Sequence, residues 1–460
     1  MSVPMPKGPV IVSLPEPTAL QGPRFPDRHP ESGKVLRTSD NLKALMTYCN
    51  YSGRYNLMTA EPEVSSTDNL QRLGGSAAQQ RSMLIDACQR FGLPDQAIDD
   101  HLTALCENHS YHPVREWLDA GGVWDGQDRV TGVIQTLRAS DPHYAQQVMK
   151  PWLVGCVAAL YEKRFSSKLV PVLQGAQSFR KSAWINRVCG VIAGAVGDGS
   201  INPANADDVR RVCSHWVNEL AELESTTRHE AGCLKAFITH NEDKFRVPYA
   251  RDFTIKSRQT SFIGTVNGTE FLKDQTGNAR FAVIEMAEPA MIDNLNWFLG
   301  WEWKAGRITL EQPEQLRQFW LQVKTLYDAG ESWFLDDATS QQAATVNESH
   351  TDKGPYYMAI VERHISRPAQ TTAWLTPSAI CKLHGDRAGL NTQYGKALRL
   401  LAGEGLIGCR PARGGAHRIS NRCDDCRTRF AEQTIASALM MSPAKYVQGF
   451  FSGEVRVRFG

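Results

Sequence analysis

The sequence predicts an α/β protein: a P-loop nucleotide-binding core set between a helical N-terminal domain and a C-terminal winged-helix-like domain. Three observations carry this reading. Between residues 166 and 300, short apolar runs ("LVPVLQG", "HWVNEL", "QTSFIGTVN", "RFAVIEM") alternate with helical patterns, which is the α/β signature. The first run ends at Gly175 and leads through a short polar segment into Lys181-Ser182 and a helical pattern. Farther on, "TPSAICKLHGDRAGLNTQYGKALRLLAGEGLIGCRPARGGAHRIS" reads as helix, turn, helix and a hairpin at Gly414-Gly415.

Taken in order, residues 1–35 carry Pro4, Pro6, Pro9, Pro15, Pro17, Pro23, Pro26 and Pro30 and read as an extended or disordered arm. Residues 36–165 form the helical domain. "NLKALMTYC" opens it with Asp40 placed to cap, "QQRSMLIDACQRFG" follows, and "HPVREWLDAGG" holds helix spacing to Leu118 before a Gly121-Gly122 break. "YAQQVMKPWLVGCVAALYEK" then leads into the first strand of the 166–300 core. Residues 301–368 read as a helical extension, 369–422 as the winged-helix-like domain and 423–460 as a tail.

The 460 residues suffice for two or three domains. Net charge is only +2, which excludes a polycation, so any nucleic-acid surface must be a local patch. The 11 scattered cysteines fit free thiols in a reducing cytosol. No apolar signal segment or run of about 18 apolar residues occurs, so a cytoplasmic protein without a membrane span is expected.

Gly175, Ala176, Gln177, Ser178, Phe179, Arg180, Lys181 and Ser182 fit G-x-x-x-x-[G]-K-[ST], with Arg180 in place of the second glycine. Such a loop binds phosphate because backbone N–H groups and a helix N-terminus converge on the anion. The lysine bridges the terminal phosphates and the hydroxyl ligates Mg2+, so ATP and Mg2+ are the expected cofactors. Arg180 carries a Cβ, but an ordinary φ is expected for it at the helix's first turn, with its guanidinium adding charge near the phosphates. Glu219, at the end of an apolar strand, and Glu222 one step on suit magnesium and the attacking water. The alternative is a solvated acidic turn. Asn267, just after the third apolar run, suits a γ-phosphate sensor, or else a turn residue of an Asn-Gly pair. Arg280 precedes the fourth run and suits charge stabilisation from a neighbouring subunit, or else it is a surface arginine.

Between these lies "LKAFITHNEDKFRVPYARDF", in which Lys235, Lys244, Arg246, Tyr249, Arg251 and, just beyond, Lys256 form a basic, aromatic-bearing segment. It suits a hairpin tracking a nucleic-acid backbone; the alternative is a solvated charged face. In the C-terminal unit, Asn391, Thr392, Gln393 and Lys396 fall on the outer face of the second helix, with Arg410, Arg413 and Arg418 around the wing, an arrangement suited to duplex DNA. Protein contact is the alternative there. Cys423 and Cys426 make a single C-x-x-C, two ligands short of a zinc site.

The ordered set "LQGAQSFRKSAW … HWVNELAELEST … LKAFITHNEDKFRVPYAR … SFIGTVNGTEFLKDQTGNARF" resembles the virulence-associated protein E family, phage- and prophage-borne ATPases similar to superfamily III replicative helicases. "NHSYHPVREWLDAGGVWDGQDRV" is similar to the same family, and the resemblance covers roughly residues 100 to 350. It implies an AAA+-like core in a ring, usually a hexamer, that unwinds DNA during phage or island replication. Lys181 and Ser182 match its Walker A pair, Glu219 and Glu222 its acidic positions, Asn267 its sensor and Arg280 its arginine finger. Ser178 and Arg180 stand where many members carry glycine, and Ala279 where an Arg-Arg pair is common. The function expected is an ATP-dependent helicase or replication initiator. The alternative is a DNA-binding regulator with a degenerate, non-hydrolysing loop. No acidic polymerase set occurs in the N-terminal region, so a separate primase is the expected partner.

Overall fold

The computed structural model describes residues 22–66, 76–221, 223, 228–245, 254–272, 278–366, 371–410 and 454–459. Contacts divide the chain into residues 1–350 and 351–460.

In the first unit, helix Ser39–Tyr48 starts where the Thr38 hydroxyl accepts the Asn41 N–H. Thr38 is therefore the cap, and Asp40 lies in the first turn, where its charge complements the helix dipole. Helices Ala77–Phe91 and Gln96–Glu107 accompany a three-stranded sheet of β1 (Tyr51–Asn56), β2 (Glu61–Ser66) and β3 (Ser110–Tyr111), in the order β2-β1-β3. That sheet falls inside the region read as helical, because "YSGRYN" and "EPEVSS" show no apolar run. Part of the expected arm is also built in. Phe25 and Val35 are buried, and the Asn41 amide donates to the carbonyls of Asp27 and Leu36. Residues 1–21 lie outside the described residues.

The apolar runs become one sheet. Its strands are β4 (Val170–Gln174), β5 (Val196–Asp198), β6 (Val217–Ala221), β9 (Ser261–Val266) and β10 (Phe281–Glu285), with the hairpin β7 (Glu242–Phe245) and β8 (Thr254–Ser257) inserted between β6 and β9. The order is β10-β4-β9-β6-β5, and every neighbouring pair is parallel. Parallel neighbours require crossovers, supplied by helices such as Lys181–Cys189 and Ala206–Cys213. Side chains alternate between two apolar layers. Leu173, Val217, Ile263 and Ile284 face a core holding Trp152, Trp184 and Trp320. Val172, Leu220, Phe262 and Val283 face the other. The buried indoles are satisfied: Trp152 donates to Phe262 O at 2.8 Å and Trp184 to Thr136 Oγ1 at 2.9 Å. After β10 come helix Ile292–Leu299, the hairpin β11 (Trp301–Lys304) and β12 (Arg307–Leu310), and helices Pro313–Asp328 and Asp337–Ser349. The β11–β12 hairpin breaks the helical reading at its start.

The second unit runs helix Pro355–Ile360, β13 (Thr371–Leu375), helices Pro377–Leu383 and Asn391–Gly403, β14 (Cys409–Arg410) and β15 (Glu454–Phe459), with sheet order β13-β15-β14. Pro377 opens its helix and the Thr376 hydroxyl caps it. Tyr357, Ile360, Ile380, Tyr394, Leu398 and Leu401 form the core. The segment read as a tail thus supplies the middle strand. The Gly414-Gly415 hairpin, Arg413, Arg418, Cys423 and Cys426 lie outside the described residues. Among the described residues, no helix is long and apolar enough to cross a membrane.

Candidate active site

The parallel register brings residues of three strands and the loops that follow them together. β4 delivers the loop Gly175–Arg180 and then Lys181 and Ser182. Next to it β9 ends at Val266 and hands on to Asn267, and beyond β9 lies β6 with Glu219. Gly175 is glycine for packing, since a Cβ there would stand 2.7 Å from the Phe179 ring and 3.2 Å from Met286 Cβ.

Ser178 and Arg180 both take left-handed backbone conformations, with φ of 71° and 61°. Each costs about 1–2 kcal/mol for a residue with a Cβ. This corrects the ordinary φ expected for Arg180, which is the left-handed N-cap of the Lys181–Cys189 helix and caps it with no side-chain bond. The loop is held shut by other contacts. The Ala290 N–H donates to Phe179 O at 3.1 Å. The Lys181 ammonium donates to Gly175 O at 2.6 Å, Ala176 O at 3.1 Å and Asn267 Oδ1 at 2.9 Å. Lys181 is 8% exposed.

Glu219 is the third of five residues in β6 rather than its end, and it is 2% exposed. Its Oε1 accepts from Ser182 Oγ at 2.6 Å and from Thr265 Oγ1 at 2.7 Å. Thr265 escaped the sequence reading. Its signal was a hydroxyl inside the buried run "SFIGTV", which must find a partner. Ser182 Oγ and the Glu219 carboxylate stand side by side as hard oxygen donors, the type a divalent cation such as magnesium takes. Glu222 lies outside the described residues.

Arg280 closes the short turn Asn278–Arg280 that enters β10. Because Phe281 pairs with Val170 and Glu285 with Gln174, Arg280 sits at the opposite end of the sheet from Gly175. At about 3.3 Å per residue that is roughly 20 Å along the strand, too far to serve its own loop. Lys235 and Asn347 anchor the turn: Lys235 Nζ donates to Asn278 Oδ1 at 3.1 Å, and Asn347 Nδ2 to Asn278 O at 3.1 Å and Phe281 O at 2.7 Å. Lys235, expected on a DNA surface, is therefore reassigned. At 5% exposure its ammonium braces the Arg280 turn.

Lys256 is likewise removed from the basic segment. It is buried, and its ammonium donates to Met58 O at 2.7 Å and to Cys213 O. Beside it, Arg258 forms a two-point ion pair with Asp243 at 2.7 and 2.6 Å, and both side chains are buried. Lys244 is exposed on the hairpin; Arg246, Tyr249 and Arg251 lie outside the described residues. In the second unit, Gln393 and Lys396 are exposed and Asn391 is half-buried, while Tyr394, Ala397, Leu398 and Leu401 fill the opposite, buried face.

No curated protein matches the chain. Among solved structures it is similar to the apo structure of the NrS-1 C-terminal region (305–718), at a TM-score of 0.40 and 11% identity over 79% of this chain and 89% of that one. It is also similar to the A-form apo structure of that region, at a TM-score of 0.40 and 11% identity over 70% and 78%. Residues 118–352, just over half of the chain, match the Virulence-associated protein E-like domain and take in the phosphate-loop candidate, Glu219, Asn267 and Arg280. The chain therefore belongs to the virulence-associated protein E-like family.

Proposed function

We propose that the chain is an ATP-dependent DNA helicase or replication initiator of phage or prophage-island type. The observation that carries the reading is the pair of contacts Lys181–Asn267 and Ser182–Glu219, which tie the helix after β4 to the end of β9 and to the middle of β6. They join the four side chains that nucleoside-triphosphate hydrolysis needs in one place. The strand order β10-β4-β9-β6-β5 supports an AAA+-like core, with the sensor strand between the phosphate-loop strand and the acidic strand. The strain at Ser178 and Arg180 supports it too. Single left-handed non-glycine residues also stand at Asn50, Ala60, Arg138 and Ala305, but Ser178 and Arg180 lie two residues apart in one loop, a concentration of strain that fits a phosphate site.

In this reading the loop and Lys181 cradle the triphosphate, Asn267 senses the γ-phosphate, and Glu219 with Glu222 orients the attacking water. Ser182 and Glu219 would hold Mg2+, which would supply charge neutralisation at the phosphates when bound. Catalysis is positioning and charge stabilisation. Arg280, remote from its own loop, acts on the ATP of a neighbouring subunit in a homo-oligomeric ring, taken to be a hexamer. The β7–β8 hairpin, with Lys244 and the Arg246–Arg251 segment, faces single-stranded DNA. The helix Asn391–Gly403 offers Asn391, Gln393 and Lys396 to a duplex, and the sheet order β13-β15-β14 around two helices supports a winged helix there. A separate primase supplies the primers.

One observation favours a second reading, a DNA-binding regulator that does not hydrolyse ATP: Arg180, with a Cβ and a φ of 61°, stands where the phosphate-loop pattern has glycine. ATP turnover with and without single-stranded DNA, beside a Lys181→Ala control, separates the two. DNA-stimulated turnover that the control abolishes is expected. DNA binding without turnover in the unaltered protein favours the regulator.

A further inference from the structure

A cleft of about 490 Å³ opens between helix Ile292–Leu299, the β11 strand and the start of helix Pro313–Asp328. Its walls are aromatic: Trp297, Phe298, Trp301 and Trp303 line it. Trp297 is 76% and Trp303 69% exposed, an unusual amount of indole to leave in water. Trp301 is fixed, its N–H donating to Arg187 O at 3.0 Å with the Arg187 guanidinium over its ring. Trp297 packs edge-on to Phe298. The charged lining is acidic: Asp128, Asp293 and Glu302 stand against Arg129; Arg129 is bound to Asp125 at 2.8 Å and Glu302 to Lys304 at 3.3 Å, which leaves Asp128 and Asp293 outside these pairs. A surplus of carboxylates disfavours a polyanion and favours a cationic guest.

The chain carries a matching segment. Residues 1–21 contain Pro6-Lys7-Gly8-Pro9, a P-x-x-P spacing with a lysine inside it, and Pro4 just before. Three residues make one turn of the polyproline II helix, so prolines three apart share a face. Tryptophan-lined grooves take such segments at low entropic cost. We propose that the tryptophan cleft is a docking site for this chain's own Pro4–Pro9 segment. Prolines seat on Trp297 and Trp303, and Lys7 meets Asp293.

The test uses the full chain carrying Pro6→Ala and Pro9→Ala, so that its own segment does not compete, and a fluorescein-labelled peptide of residues 1–12 read by anisotropy. Saturable binding is expected. Trp297→Ala and Trp303→Ala, both exposed and thus tolerable to the fold, should each weaken it by about tenfold. Lys7→Glu in the peptide should weaken it as well, and the unaltered chain should bind the peptide less tightly than the proline variant. Absence of saturable binding, or binding that neither tryptophan change weakens, overturns the proposal. So does the converse, in which labelled oligothymidylate binds in a manner lost on Trp297→Ala while the peptide does not bind; the cleft is then a base-stacking site.

Discussion

Lys181 and Lys256 are both buried and both turn their ammonium groups on backbone carbonyls, yet they sit in opposite settings. The acceptors of Lys181 are Gly175 O, Ala176 O and the Asn267 side chain, all on segments leaving strand ends. In the proposed function, an arriving phosphate takes their place. The acceptors of Lys256 are Met58 O and Cys213 O, from distant parts of the chain, with the Arg258–Asp243 pair alongside. Desolvation lowers its pKa to about 8, against the raising influence of Cys213 and Asp243. A buried lysine is thus no sign of function by itself. What separates the two is whether the acceptors can be exchanged for an anion.

The largest effect tests the rigid side of this contrast. Asp243→Ala leaves the Arg258 guanidinium buried without its carboxylate, and the expected loss is about 3–5 kcal/mol of stability by urea denaturation. A loss below about 1 kcal/mol would mean that the hairpin base relaxes and does not anchor the fold. Next in size is the titration of Lys256. Its folded pKa lies below the unfolded value of 10.5, so between the two the unfolded chain binds more protons. The stabilisation is complete above about pH 10.5 and is lost as pH falls to about 8, a span on the order of 3 kcal/mol. Urea midpoints at pH 8 and pH 10 should differ more in the unaltered protein than in Lys256→Met; equal differences would contradict the burial assigned to this ammonium. The exchangeable side comes third. Lys181→Met should cut ATP turnover about 100-fold with an unchanged urea midpoint, whereas Lys256→Met should leave turnover per folded molecule intact. If both variants lose turnover equally, the two lysines do not divide as argued.

Much of this geometry was legible in sequence because strands buried on both faces announce themselves as unbroken apolar runs. β4, β6, β9 and β10 were all readable, and with them the places of Lys181 and Asn267, whereas Glu219 was read at the end of its strand and lies at its middle. β5 has three residues, and β11 opens "WEWK", so neither offers a period to detect. Burial of single charges was the other blind spot. Lys235 and Lys256 read as surface cations because their acceptors, Asn278 and the carbonyls of Met58 and Cys213, lie 43, 198 and 43 residues away. A charge that satisfies a remote backbone group leaves no local pattern. Arg180 was misread for a related reason, since its φ follows from how the helix seats against the loop and not from its own preference.

Arg180→Gly gives the smallest effect and bears most directly on the loop. Glycine adopts the left-handed conformation without the Cβ clash, a gain of about 1–2 kcal/mol. Glycine also loses more backbone entropy on folding, about 0.5–1 kcal/mol. The net expectation is a rise in stability of about 0.5–1 kcal/mol by urea denaturation. If the guanidinium adds charge near the phosphates, the KM for ATP should rise in the same variant. A more stable protein with weaker ATP binding would identify Arg180 as strained for the sake of phosphate binding. Loss of stability would show that contacts of its side chain outweigh the strain, and that the loop is held by Arg180 as much as by the grip of Lys181.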